Sequence, residues 1–210
     1  MRTRLTDLLD IEHPVMLAGM GGVSYHRLVA AVSEAGGIGT FGASTMAPDE
    51  LPREIAALKE LTDKPFGVDL LTALPGQVEA GIQSVIDGGA RIFVAGLGVP
   101  REVIELLHSK NVLVGSMCGK VRHAIGAAAS GCDFVVAQGT EAGGHTGTIA
   151  TMALVPQIVD APSVPIPPAS LTAATRRWYE TPPMPANSTG CSMPSVSVRR
   201  VRMGAAYART

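Results

Sequence analysis

Short apolar runs alternate with longer amphipathic stretches along most of the chain. Pro14–Ala18 reads as a first strand, ending in the turn Gly19-Met20-Gly21-Gly22. Ser24 is expected to cap a helix whose apolar positions, Leu28, Val29, Val32 and Ala35, share one face. Gly36-Gly37 stops that helix, and Ile38–Phe41 supplies a second strand. Pro48 opens a second helix carrying Ile55, Leu58 and Leu61. The alternation continues with strands at Phe66–Leu70, Arg91–Ala95, Val112–Gly115 and Phe134–Ala137. Helices are expected between them at 77–87, 100–108 and 120–130, and a last apolar helix at 151–159 follows the glycine-rich loop Gly139–Gly147.

Repeated strand-helix units imply parallel strands joined by right-handed crossovers. The strands lack polar alternation, as expected when both faces are buried. An open doubly wound sheet and a (β/α)8 barrel both satisfy the pattern. A unit of about 25 residues, without reversal, favours the α/β barrel of the TIM type. Only six units are recognisable, so the barrel is expected to be incomplete. Val164–Ile166 could begin a seventh strand. The division expected is a partial barrel over 1–166 and an irregular tail over 167–210, rich in Pro and Arg and without apolar periodicity.

Composition narrows the function classes. Hydrophobic residues make up 46% of the 210 and charged residues 17%, enough to build a sizeable core. The net charge of -1 argues against a nucleic-acid or anionic-membrane surface. Aromatics are 4%, so the core must be aliphatic. Cys118, Cys132 and Cys191 show no metal-ligand spacing, and no metal is expected. The polar opening segment and the lack of an apolar run near 18 residues point to a soluble, cytoplasmic protein.

In parallel α/β folds, chemistry sits at the carboxyl ends of the strands. Four such ends stand out. Met20, Gly21 and Gly22 offer bare backbone to a flat ligand, or form an ordinary turn. Asp69 closes an apolar strand, where a carboxylate is unfavourable unless it bonds a ligand or caps a turn. Lys120 follows the fifth strand and either contacts an anion or is solvated. The strongest end is Gln138-Gly139-Thr140-Glu141-Ala142-Gly143-Gly144-His145-Thr146-Gly147, which holds one imidazole among glycines. Histidine is the side chain most easily poised as a base near neutral pH. His13, His26, His108 and His123 read as structural or solvent-facing.

The ordered set of segments resembles the nitronate monooxygenase family. His13–Met16 with Gly19–Gly22, then Ala31–Gly37, is similar to its opening; Lys64–Leu70 is similar to its third strand, where Asn or Asp is usual. Ala137–Gly147 is similar to its most specific motif. The resemblance covers about residues 5–166. It implies a (β/α)8 barrel with FMN held non-covalently at the C-terminal mouth. Met20, Gly21, Gly22 and Gln138 would contact the flavin, with Asp69 near the ring. Gly143 and Gly144 would make room for the ring, and His145 would face the substrate as base or hydrogen-bond donor. The implied reaction oxidises an alkyl nitronate with molecular oxygen to a carbonyl compound and nitrite.

The resemblance stops near Pro167, where the family continues with two loops that hold the FMN phosphate. Codons for Pro168–Ala174 exist that read Gly-Ile-Ala-Asp-Gly-Arg in a shifted frame, recovering the missing motif. The expectation is therefore a truncated or frameshifted relative with weakened FMN binding. Two alternatives remain: an FMN-dependent enoyl-thioester reductase of fatty-acid synthesis, which shares a similar Gly-Gly-His loop, and an inactive fragment.

Overall fold

The computed structural model of the chain describes residues 2–72 and 75–161. The expected strand at Val164–Ile166 and the tail from residue 167 lie outside them. A short helix α1 (Arg4–Leu9) precedes α2 (His26–Glu34). Strand β1 (Gly39–Gly42) then runs through one 3-10 turn, Ala43–Thr45, into α3 (Glu50–Lys59). The alternation proceeds through β2 (Phe66–Leu71), α4 (Pro75–Gly88), β3 (Ile92–Gly96) and α5 (Arg101–Ser109). It ends with β4 (Leu113–Cys118), α6 (Val121–Ser130), β5 (Phe134–Ala137) and α7 (Thr151–Asp160). The five strands are parallel and lie in chain order. This is the α/β architecture read from the sequence, the partial wall of a barrel.

The two faces of the sheet pack differently. Phe41, Phe66, Val68, Leu70, Phe93 and Val114 face outward and are buried under the helices, against Val29, Ile55, Leu58, Val85 and Leu107. Ile38, Ile92, Val94, Phe134 and Val136 face inward, where Leu5 and Leu9 of α1 cover them. Glycines on the inner face make room for these side chains. A Cβ on Gly115 would collide with the Phe134 ring, and one on Gly67 with Ile92. Arg91, just before β3, donates to the Leu8 carbonyl (2.9 Å), which holds α1 at the N-terminal end of the barrel wall. The opposite, C-terminal end is left to the loops.

Three local expectations need correction. The first strand, Pro14–Ala18, is reduced to an isolated parallel bridge, Met16 with Ile38. Its outer side meets no partner among the described residues, and Pro14 has no N–H to donate. Ser24 does not cap α2. Its hydroxyl donates to the Ala18 carbonyl (3.0 Å) and accepts from the Met20 N–H (3.1 Å), bracing the glycine turn. The N-terminus of α2 is satisfied from α3 instead, where Glu54 accepts from the His26 N–H at 2.9 Å and meets the ring Nδ1 at 2.7 Å. The buried face of α2 is therefore Val29, Ala30 and Ser33, while Leu28 is 37% exposed.

Helix α1 was not expected from the sequence. Its signal is present in retrospect: Thr3 and Thr6 form a reciprocal capping box, and Leu5 and Leu9 stand one turn apart.

Candidate active site

Strand alternation puts Asp69 on the inner face, because its neighbours Val68 and Leu70 belong to the outer core. It lies in register with Gly42 on one side and Val94 on the other. A Cβ on Gly19 would collide with the Asp69 Cβ, and one on Gly42 with the Met20 backbone. The Gly19–Gly22 turn is thus packed directly against the end of β1 and the Asp69 carboxyl. Among the described residues no hydrogen bond reaches that carboxyl. Burial pushes its pKa from the ordinary carboxylate range up to about 7. Thr40 is 1% exposed on the same inner face, and its hydroxyl has no partner either.

The second half of the site is the loop between β5 and α7. The Gln138 side chain donates to the Gly143 carbonyl at 3.3 Å. Gly119 and Gly147 meet backbone to backbone, since a Cβ on either would strike the other. That contact seats the β5–α7 loop on the turn before α6. Among the described residues, no atom lies within 4 Å of where a Cβ on Gly143, Gly144 or Gly22 would stand. Gly144 and Gly22 also adopt positive φ, 72° and 73°, which only glycine takes without strain. These three positions face no other described residue. His145 is exposed beside them and bonds to no described residue.

The remaining candidates sort by contact. Met20 is 39% exposed at the mouth, and Gly21 backs onto the Thr45 side chain. Lys120 sits at the N-cap of α6 without a side-chain capping bond, next to the Gly119–Gly147 contact. Met20, Gly21, Gly22 and Asp69 form one contiguous group at the β1 side of the sheet. Gln138, Gly143, Gly144 and His145 form another at the β5 side.

Other titratable groups are engaged elsewhere. His108 pairs with Asp133 (2.8 Å), and His26 with Glu54. Burial lifts the Cys118 thiol to about 11 and the Cys132 thiol to about 12, so neither is a nucleophile at neutral pH. Among the described residues no group of three or more His, Cys, Asp or Glu is placed to hold a metal, and no helix is long and apolar enough to cross a membrane.

Two groups were missed by sequence reasoning. Thr40 carries only the signal of a polar residue inside an apolar strand. Glu141 accepts from the Thr151 N–H at 2.7 Å and from its hydroxyl at 2.8 Å, a link that no short-range pattern announces.

A family profile described as nitronate monooxygenase matches residues 2–81 and 76–170. The chain belongs to the nitronate monooxygenase family. A "probable nitronate monooxygenase" of Staphylococcus saprophyticus is 34% identical, over 79% of this chain and 60% of the relative. A Mycobacterium tuberculosis protein is 40% identical over 77% of this chain and 45% of its own length. Its name is (3aS,4S,5R,7aS)-5-hydroxy-7a-methyl-1-oxo-octahydro-1H-indene-4-carboxyl-CoA dehydrogenase. Among solved structures, FabK from Thermotoga maritima superposes with a TM-score of 0.74 at 37% identity, covering 80% of this chain and 53% of that one. A nitroalkane oxidase from Streptomyces ansochromogenes gives 0.69 at 30% identity, covering 78% and 59%. The chain thus spans about half the length of the relatives it matches.

Proposed function

We propose that this chain carries the ring-side half of an FMN site and the base of an oxidoreductase that converts alkyl nitronates, with molecular oxygen, to carbonyl compounds and nitrite. The observation that carries the reading is His145. Among the described residues it has no partner at the C-terminal mouth, and it stands beside glycines whose Cβ positions meet no described atom. The residues fit a flat ring. Gly22, Gly143 and Gly144 leave it clearance, the Met20–Gly22 backbone and Gln138 offer polar contacts, and Asp69 is an orphaned carboxyl aimed from the inner face. FMN, when bound there, supplies the electron transfer to oxygen.

The chain's own residues manage position and protons. His145 accepts the α-proton of a neutral nitroalkane as it ionises to the nitronate, or donates a hydrogen bond to a nitronate oxygen. Asp69, with its pKa raised to about 7, is protonated in about half the molecules at neutral pH, and in that form it donates a hydrogen bond where an ordinary aspartate could only accept one. The same reading makes the protein cytoplasmic, with small molecules as its partners and neither nucleic acid nor membrane. The free, buried thiols of Cys118 and Cys132 are compatible with a reducing compartment.

A second reading has its own support: FabK and a CoA-ester dehydrogenase are among the similar proteins, so reduction of an enoyl thioester with a nicotinamide donor is the alternative. One experiment separates the readings. The purified chain is mixed with FMN, desalted and examined for visible flavin absorbance, then offered a nitronate with oxygen or NAD(P)H with an enoyl thioester. Retained flavin with nitronate-dependent nitrite release supports the first reading. Flavin reduction by NAD(P)H without nitrite supports the second, and a colourless protein sinks both.

A further inference from the structure

The loop that carries His145 is closed at its base and open at its tip. At the base, Gly139 packs so tightly on Thr151 that a Cβ would collide with the Thr151 N, Cα and Oγ1. Thr140 donates its N–H to the Ile149 carbonyl (3.1 Å), and Glu141 takes both Thr151 bonds through one oxygen, Oε2. The two ends of the loop are thereby tied, as in an Ω-loop. At the tip, Gly144, His145 and Thr146 are exposed and make no hydrogen bond to a described residue. Two adjacent glycines, Gly143 and Gly144, give the tip backbone wide freedom. The imidazole's place is set by restraints flanking the tip: the closed base, the Gln138 bond to the Gly143 carbonyl and the Gly119–Gly147 contact.

Helix α7 explains why the base needs a side chain from the loop. The first N–H groups of a helix have no partner inside it, and a Ser, Thr, Asp or Asn at the N-cap normally supplies one. The N-cap of α7 is Ala150, which has no such group. Glu141, ten residues upstream, supplies the acceptor instead. A local cap would satisfy the helix without touching the loop; a cap donated by Glu141 satisfies it only when the loop is closed. The Thr151 backbone bond, more than any other influence, holds the Glu141 carboxyl below the usual range.

We propose that Glu141 is a positioning residue: by capping α7 from within the loop it closes the loop's base and fixes the site from which His145 reaches the substrate. The claim about turnover rests on the reading of His145 as base; the claim about loop closure does not.

The test uses the full chain with Glu141→Ala, Glu141→Gln and Thr151→Val, read by hydrogen-deuterium exchange and by nitronate turnover. Gln keeps an oxygen that accepts both Thr151 bonds, Ala keeps none, and Val removes the hydroxyl bond alone. In Glu141→Ala, amides of residues 139–151 should exchange roughly tenfold faster while those of β2 to β4 stay unchanged. Its kcat should fall about ten- to a hundredfold, with KM changed less than about threefold, because a misplaced His145 hydrogen bond hurts the reacting state more than binding. Glu141→Gln should restore both readouts to within about threefold of the parent. Unchanged exchange in Glu141→Ala overturns the proposal, as does faster exchange with undiminished kcat, or a Gln variant no better than Ala. Should Glu141→Ala unfold throughout, Thr151→Val decides: locally faster exchange over 139–151 supports closure and unaltered exchange overturns it. If the parent turns over no nitronate, the reaction assigned above fails separately, and the exchange data alone decide whether Glu141 closes the loop.

Discussion

Gly19 and Asp69 are packed so closely on the inner face of the barrel wall that a Cβ on the glycine would collide with the aspartate Cβ. The turn after the first strand is therefore the wall against which an unpaired carboxyl is held. That contact contributes to the burial of Asp69. Gly19→Ala should destabilise the chain by about 1–3 kcal/mol, the usual cost of overpacking. Gly126→Ala is the matched opposite. It lies inside α6 with open space around its Cβ position, so alanine should stabilise by roughly 0.5–1 kcal/mol. Urea unfolding of both variants checks the pair, and equal effects would refute the packing argument.

Asp69 itself makes stability depend on pH. Its folded pKa is about 7, whereas the ordinary value is 3.8. The unfolded chain therefore loses this proton first as pH rises. Stability should fall between about pH 4 and pH 7 and level off above, the reverse of a salt-bridged carboxylate. At about 1.4 kcal/mol per pKa unit, the penalty above pH 7 is at most about 4.5 kcal/mol. Asp69→Asn removes the titration and keeps the shape. Its advantage over the parent should be larger at pH 8 than at pH 5 by urea titration; an advantage that does not grow with pH would count against a neutral Asp69.

The sequence carried the outer layer of the fold because both of its signals are local. Apolar runs such as Phe66–Leu70 and amphipathic faces such as Ile55 with Leu58 need only their own neighbours to be read. The Gly143-Gly144-His145 segment was legible for a similar reason, since glycines around one imidazole at a strand end have few other uses. What escaped was every group whose partner is distant in the chain. Glu54 replaces Ser24 as the acceptor at the α2 N-terminus from 28 residues away. Arg91 holds α1 from 83 residues away, so α1 looked like a polar leader until its apolar side found the inner face. The Pro14–Ala18 strand was overread because pattern shows propensity for a strand, and only a neighbour on each side makes it a full one.

His145 supports a sharp division between chemistry and stability. It is exposed and has no partner among the described residues, so His145→Asn should change unfolding free energy by less than about 0.5 kcal/mol. If it is the base, the same substitution should lower kcat/KM about 10²- to 10⁴-fold while flavin affinity stays within about threefold. Parallel measurement of nitrite release, FMN titration and thermal unfolding tests this. Loss of flavin binding in step with activity would reassign His145 to the cofactor, and intact activity would remove it from the mechanism.

Asp133 shows how the end of the wall opposite the site is secured. It is 8% exposed, and one oxygen, Oδ2, accepts from the Val114 N–H at 2.7 Å and meets His108 Nε2 at 2.8 Å. The first contact joins the start of β5 to β4, and the second ties the end of α5 to both. Asp133→Ala would strand a buried backbone N–H, an arrangement that costs about 1–3 kcal/mol. Asp133→Asn keeps an acceptor for Val114 and should lose only the fraction owed to charge at His108. His108→Ala leaves the Val114 bond in place and should cost less than Asp133→Ala. The expected order of stability is parent, then Asn and His108→Ala close together, then Asp133→Ala. Since both sites lie away from the mouth, FMN titration should give the same affinity wherever the chain remains folded. A His108→Ala variant as unstable as Asp133→Ala would mean that the imidazole, not the backbone bond, is what Asp133 is buried for.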